Sequence, residues 1–182
     1  MKFTVKEIVI IGIFAALTAI CAPLSIPLSF SPVPITLSIL AVFMSAVLLS
    51  PKCAVFSQII YILIGICGAP VFSRFQSGPG VVSGPSGGFL LSYPVIALVI
   101  SLLLRNRKQI SRMDMIGAMV VGLMICYTMG ASWYGFSLQK TVNESIAFIA
   151  PFLPLDLVKI LLVSALGHQV YQTLVKAKLL ES

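Results

Sequence analysis

Acidic residues and histidines are scarce in this sequence. The 182-residue chain holds five Asp and Glu against 12 Lys and Arg, with a single His. No HExxH, paired-carboxylate or Ser-His-Asp arrangement occurs, so the usual signatures of metal-dependent and acid–base enzymes are missing. An enzyme inside a membrane would need polar groups in several spans, and this chain offers too few. The scarcity argues against an enzyme.

Two further absences narrow the function. The four cysteines are scattered singly, without a CxxC pair or a nearby cluster of His and acids, so we expect small apolar fillers and no metal (Cys21, Cys53, Cys67 and Cys126). No GxxxxGK[ST] phosphate loop occurs, so the chain has no recognisable ATPase of its own. Any ATP-driven work must come from a partner. The basic residues lie between apolar segments and form no continuous patch for nucleic acid.

Apolar residues dominate what is there. Hydrophobic residues make up 59% of the chain, charged residues 9%, and the mean hydropathy is +1.09. The apolar runs are continuous and lack the alternation of a membrane barrel. The composition therefore predicts one all-α domain over residues 1–182, an integral membrane bundle in contact with lipid. Pro23 follows the first apolar run and disfavours signal cleavage there, so that run is interpreted as a retained helix.

Six membrane spans can be placed, at about 8–22, 35–49, 54–68, 89–104, 115–136 and 154–175. Long loops, rich in Pro or Gly, separate them at 23–34 and 69–88. With the N-terminus inside, the inner segments hold nine basic residues (Lys2, Lys6, Lys52, Arg105, Arg107, Lys108, Arg112, Lys176 and Lys178). The outer loops hold two, Arg74 and Lys140. This imbalance predicts a multi-pass protein with both termini in the cytoplasm.

Asp156 and Lys159 stand out because they interrupt an otherwise apolar stretch. Charges inside a membrane are costly and mark functional sites by default. A spacing of three places both side chains on one helix face, ~60° apart around the axis. Pro154, a favoured first-turn residue, places them at the start of the last span, near the outer surface. Two interpretations remain open: the pair binds a polar ligand head, or its members bind only each other and pin a helix end.

Two other segments are candidates for function. The loop over 69–88 contains aromatic residues, so we expect it to be packed, either as a lid whose glycine amides approach a ligand or as a passive surface loop. The first span contains two pairs of small residues spaced by four, Gly12 with Ala16 and Ala15 with Ala19. Such spacing allows close approach of another helix, either within the bundle or in a docking partner.

Four motifs, in order, carry a resemblance to a known family. They are Pro32-Val33-Pro34-Ile35-Thr36, Gly68-x-Pro70-Val71-Phe72, Gly84-Pro85-Ser86-Gly87-Gly88-Phe89 and Pro151-Phe152-Leu153-Pro154-x-Asp156-x-x-Lys159. With them the chain resembles, nearly end to end, the BioY family of bacterial biotin transporters. These are substrate-binding S-components of energy-coupling factor (ECF) transporters. The resemblance implies a six-helix S-component that binds biotin near the extracellular side of the plasma membrane, without a cofactor.

The resemblance also implies roles for particular residues. Asp156 and Lys159 would contact the ureido head of biotin, and the second and third motifs would complete the site with Gly84, Ser86, Gly87 and the apolar walls Phe72, Phe75 and Phe89. The chain departs from the family at Arg74, Phe75 and Gln76, where relatives are often Gly-rich; our own hypothesis is that Arg74 binds the ligand carboxylate and Gln76 the ureido group. Ala15 and Ala19, with Gly12 and Ala16, would dock on the coupling subunit that carries two ABC ATPases. The alternatives are an S-component for another vitamin, a small intramembrane enzyme or a structural scaffold.

Overall fold

The computed structural model describes residues 3–28, 31–105 and 110–176. Most of them are helical, in the chain order α1 (Val5–Cys21), β1 (Ser25–Leu28), β2 (Ser31–Thr36), α2 (Ser38–Leu48), α3 (Pro51–Ile66), α4 (Pro79–Ser83), α5 (Gly87–Arg105), α6 (Arg112–Leu138), α7 (Val142–Ile149) and α8 (Leu153–Lys176). Ser73–Phe75 forms one 3-10 turn. The predicted all-α architecture is confirmed, with one small hairpin added to it.

Acidic side chains cap the N-termini of three helices. Thr4 and Glu7 form a capping box at α1, Ser111 and Asp114 form one at α6, and Thr141 and Glu144 form one at α7. In each box the hydroxyl accepts from a backbone amide and the carboxylate binds the cap residue's own N–H, so two unpaired donors are satisfied. Among the residues described, Asp156 is therefore the one acid that serves no capping box.

The centre of the bundle is formed by α5, which packs against α2, α3 and α6, while α8 packs against α2 and α6. The fully buried side chains at the centre of the bundle include Phe43, Ile96, Ile100 and Met119. Gly122 allows α6 to approach α5 closely, because a Cβ there would overlap the side chain of Ile100. Dense packing of this kind makes the bundle a rigid frame for the side chains that point into its cavities.

A buried polar cluster joins α1, α2 and α3. The Gln58 amide donates to Ser45 Oγ at 3.0 Å and to Ser57 Oγ at 3.2 Å. It also lies 3.4 Å from Thr18 Oγ1, which donates to the carbonyl of Phe14 at 2.9 Å. Hydrogen bonds between neighbouring helices fix their register where water is absent.

The Pro-rich segment predicted as a loop over 23–34 contains an antiparallel hairpin. Strand β1 pairs with β2, with Ser25 opposite Thr36 and Ile26 opposite Ile35. Consequently α2 begins at Ser38, three residues after the predicted start at 35. The physical reason lies in Pro32 and Pro34, which keep their preceding residues extended, and in the tolerance of a two-stranded edge for proline.

Three helices are long and apolar enough to cross a membrane: Gly87–Arg105, Arg112–Leu138 and Leu153–Leu174. The helices Ser38–Leu48 and Pro51–Ile66 are apolar but shorter. Large apolar side chains cover the outward faces of α1 and α8, among them Ile13, Ile20, Leu157, Leu161 and Leu166. Such faces suit lipid and not water. The protein is therefore a membrane protein.

Candidate functional site

Asp156 and Lys159 form a buried ion pair one turn into α8. Lys159 Nζ lies 2.7 Å from Asp156 Oδ1, and each side chain is 8% exposed. Tyr127 Oη of α6 donates to the other carboxylate oxygen at 2.7 Å. Lys159 Nζ also donates to the carbonyl oxygen of Thr36, at the end of β2, at 2.7 Å. The two members of the pair thus bind each other and also link α8 to α6 and to β2.

The pair forms part of the wall of a cavity inside the bundle, which we call the bundle cavity. Its other walls come from β2, the start of α2, α3, the 69–88 loop, α5, α6 and the start of α8, with lining residues Ala22, Val33, Pro34, Thr36, Ser38, Ile39, Tyr61, Phe72, Ser73, Ser86, Phe89, Leu90, Tyr93, Cys126, Tyr127 and Phe152. Its volume is about 70 Å³. That is room for roughly five water molecules.

A chain of hydroxyls extends the polar side of the bundle cavity away from the ion pair. Thr36 Oγ1 and Ser38 Oγ are 2.6 Å apart, and Ser38 Oγ and Tyr93 Oη are also 2.6 Å apart. The ring of Tyr93 stacks on that of Tyr61 at 6.4 Å between centroids. Since each hydroxyl both donates and accepts, the chain can reorient its protons to suit a ligand.

Aromatic rings form the apolar part of the cavity wall. Phe89 stacks on Phe152 with centroids 6.5 Å apart, and Phe148 lies 5.3 Å from Phe152. Phe148 also stacks on Tyr134 at 4.0 Å. This cluster places α7, although it is short, behind the cavity wall. A ligand with a polar head and an apolar body meets both of its requirements in the bundle cavity.

The loop over 69–88 is fixed to the bundle by Phe72. This side chain is fully buried and meets Tyr61 edge-on at 5.8 Å. Its ring lies so close to Gly65 of α3 that a Cβ there would overlap it. The Gly78 amide donates to the Gly65 carbonyl at 2.8 Å, and Tyr61 Oη donates to Val71 O at 3.3 Å. The loop is therefore packed, and Phe72 and Ser73 reach the bundle cavity.

Five of the sequence-predicted ligand residues line the bundle cavity: Phe72, Ser86, Phe89, Asp156 and Lys159. Arg74, Phe75 and Gln76 are exposed and do not line it. Arg74 and Phe75 have φ of 56° and 58°, in the left-handed region that glycine adopts more readily. Phe75 is 67% exposed and forms no wall of this cavity.

The predicted glycines hold the loop against α6. Gly84 O accepts from Trp133 Nε1 at 2.9 Å. A Cβ at Gly87 would overlap the carbonyl of Val82, so Gly87 permits a close approach within the loop itself. Gly84 and Ser86, together with Gln76, line a second cavity of about 290 Å³ with Pro32, Ser77, Gly80, Val81 and Pro85. We call it the loop cavity.

A family model for the BioY family matches residues 1–176. The chain belongs to the BioY family. It is similar to "Biotin transporter BioY" of Thermotoga maritima, with 37% identity over 88% of this chain and 92% of the relative. It is also similar to "Probable biotin transporter BioY" of Bacillus subtilis, with 33% identity over 90% of this chain and 89% of the relative. The resemblance drawn from the motifs is thereby confirmed.

One solved structure shares the BioY fold seen here. It is the crystal structure of the S-component for biotin from an ECF-type ABC transporter, with a TM-score of 0.87. The match covers 94% of this chain and 95% of that one at 23% sequence identity. At this identity the likeness establishes the architecture of the bundle.

The sequence did not reveal several cavity residues of this BioY-family chain. Tyr127, Tyr93 and Ser38 carry hydroxyls in or beside apolar runs, which was the available signal. The direction in which these side chains point depends on how α2, α5 and α6 are rotated in the bundle. Residue spacing within one helix does not give that rotation. Tyr127 lies 29 positions from the carboxylate that it binds.

No group of three or more His, Cys, Asp and Glu residues able to hold a metal occurs within 3–28, 31–105 and 110–176. Cys53 and Cys126 are buried and free. On α1, Ala15 is 1% exposed and lies in the core, and Ala19 packs against that core. Gly12 and Ala16 are exposed on the outer face, beside Ile13. A partner helix on this face would meet Gly12 and Ala16 without displacing the bundle.

Proposed function

We propose that this protein captures biotin in the bundle cavity and mediates its uptake with an ATP-driven module. The observation that carries the proposal is the Asp156–Lys159 pair, buried at a cavity whose remaining wall is largely apolar. Relatives at 37% and 34% identity are named biotin transporters. No vitamin other than biotin is named among these similar proteins, and no geometric feature of the site favours an enzyme over a binding protein.

The ion pair suits a cyclic urea. A ureido ring presents two N–H donors and one carbonyl acceptor. Asp156 keeps lone pairs free beside those that Tyr127 and Lys159 use, so it can accept a ureido N–H. Lys159 has three N–H groups and uses two, on Asp156 and the Thr36 carbonyl, so the third can donate to the ureido oxygen. Charge-assisted bonds of this kind are short and strong.

The apolar wall suits the rest of biotin. Phe72, Phe89 and Phe152 face the space that the sulfur-containing ring and aliphatic chain would occupy. Entry of the ligand would be eased by a part of the cavity wall that moves outward. The loop over 69–88 and the β1–β2 hairpin are the candidate walls, since both contribute lining residues from outside the main helices.

Energy for uptake must be supplied by other subunits, in the manner of ECF transporters. We place the docking face for a transmembrane coupling subunit, which carries two ABC ATPases, on the exposed small residues Gly12 and Ala16. The basic residues of the inner segments support a multi-pass protein in the bacterial plasma membrane with both termini cytoplasmic. In that orientation the bundle cavity opens toward the extracellular side.

A biotin titration of the purified full-length protein in detergent tests the proposal. We expect saturable binding of biotin, without binding of thiamine or riboflavin. Asp156→Asn should weaken biotin binding by about 10- to 100-fold, because hydrogen bonds to charged groups contribute ~1.5–3 kcal/mol. Asp114→Asn makes the same chemical change in the capping box of α6 and should leave affinity unchanged. Folded protein that binds no biotin would refute the proposal.

A further inference from the structure

The loop cavity adjoins the bundle cavity. Ser86 lines both, so the two cavities meet at this residue. From this residue the bundle cavity continues toward Asp156 and Lys159, and the loop cavity continues toward Gln76. A ligand tail that extends from the ion pair past Ser86 would therefore enter the loop cavity.

The loop cavity is polar but uncharged. Its side-chain polar groups are the carboxamide of Gln76 and the hydroxyls of Ser77 and Ser86, and its other lining residues are Pro, Gly and Val. Among the residues that the structure describes, Lys159 is the one cation that lines either cavity, and its ammonium group already binds Asp156 and the Thr36 carbonyl. Arg74 is exposed and lines neither cavity.

These surroundings favour a neutral tail as much as a charged one. A carboxylate is recognised most strongly by a bidentate Arg or by several N–H donors, which this lining does not present. An amide carries one donor and one acceptor, and the Gln76 carboxamide and two hydroxyls supply complementary groups. The lining therefore gives no reason for the site to reject a ligand whose carboxyl group has been converted into an amide.

We infer that the loop cavity accommodates an amide-linked extension of the ligand tail, so that the protein binds biotin conjugated through its carboxyl group as well as free biotin. This inference rests on the proposed function, because it takes the biotin head to be held by Asp156 and Lys159. Its substrate class is biotin amides with a small polar extension, for example biotin joined to the side-chain nitrogen of lysine.

Gly80 allows the loop cavity to be filled without disturbing the bundle cavity. It lines the loop cavity on α4, and a Cβ built on it meets no atom within 4 Å. Gly80→Leu should therefore occupy space needed by the extension. Gly117→Leu is the matched control, since Gly117 is an exposed helical glycine of α6 whose Cβ also meets nothing within 4 Å.

The experiment compares three ligands on the full-length protein in detergent: biotin, biotin methyl amide and ε-N-biotinyl-lysine. For the wild type we expect the three dissociation constants to agree within tenfold. Gly80→Leu should weaken biotinyl-lysine at least tenfold while changing biotin and the methyl amide less than twofold. Gly117→Leu should change none of them.

Each outcome decides a separate point. Loss of the methyl amide by 100-fold or more, with biotin still bound, would overturn the inference alone, because it would show that a charged carboxylate is required. Equal weakening of biotin and biotinyl-lysine by Gly80→Leu would also overturn it, because the loop cavity would then not be the path of the extension. Failure of all three ligands to bind the folded wild type would refute the proposed function itself.

Discussion

Removing Lys159 alone should destabilise the protein more than removing both members of the ion pair. In Lys159→Met, the Asp156 carboxylate keeps Tyr127 as a donor but loses its counter-ion, and the Thr36 carbonyl loses the donor 2.7 Å away. Breaking a buried pair by removing one partner costs ~3–5 kcal/mol. For a domain of this size, each kcal/mol lowers Tm by about 2–4 °C. The expected drop is therefore about 6–20 °C.

The double variant Asp156→Asn/Lys159→Met removes the uncompensated charge as well. Because the uncharged pair no longer has to be desolvated as ions, we expect the second substitution to restore much of the lost Tm. Thermal unfolding in detergent, monitored with the same probe for all variants, measures the cycle. Lys140→Met is the control, since the Lys140–Glu144 pair is about half exposed and should give no measurable change.

The reasoning would be refuted by either of two results. A Lys159→Met protein with the Tm of the wild type would mean that the pair is solvated in the membrane protein. Strict additivity of the two substitutions would mean that Asp156 and Lys159 do not act on each other despite the short distance between their charged atoms.

Three other predictions concern separate parts of the molecule. Gly65→Ala should weaken biotin binding by about tenfold in the biotin titration, because the new methyl group overlaps Phe72 and overpacking costs ~1–3 kcal/mol. Unchanged binding would exclude Phe72 as a fixed wall of the bundle cavity. Ala16→Trp should spare biotin binding but abolish ATP-driven uptake by cells. Ala15→Trp should reduce both binding and uptake, because Ala15 is buried. Uptake retained by Ala16→Trp would exclude this docking face. The hydrogen bonds that Glu144 accepts from the backbone and hydroxyl of Thr141 lower the pKa of its carboxyl to about 2 from 4.5. The stabilisation of α7 by Glu144 should therefore be complete above pH 4.5 and decline as the pH falls toward 2. Hydrogen exchange over α7 measures this, and α7 of Glu144→Gln should exchange faster at neutral pH without that pH dependence.

Local signals in the sequence explain the parts of the fold that could be predicted. Apolar runs bounded by Pro, Gly and charges predict the helical bundle, and the buried pair in α8 follows from a spacing of three on one face. The capping boxes at Thr4 and Thr141 are likewise local, since the acid follows the hydroxyl by three positions.

The remainder depends on contacts between distant segments. The apolar run from Ile35 onward conceals the change from strand to helix at Leu37, because hydropathy alone does not distinguish a buried strand end from a helix start. Tyr127 and Tyr93 reach the bundle cavity only through the rotation of their helices. Arg74 and Phe75 form a left-handed turn that directs them away from the cavity, and their residue types favour no such backbone.

The bond from Lys159 to the Thr36 carbonyl has a consequence for biosynthesis, because it joins residues 123 positions apart. The ribosome must complete the first 159 residues, and α8 must enter the bundle, before the charged wall of the cavity exists. A chain that ends before α8 would contain the hairpin, the loop over 69–88 and helices α1 to α7, yet it would lack both charges of the pair. The charged wall of the bundle cavity is therefore formed in one step, when α8 packs into the bundle.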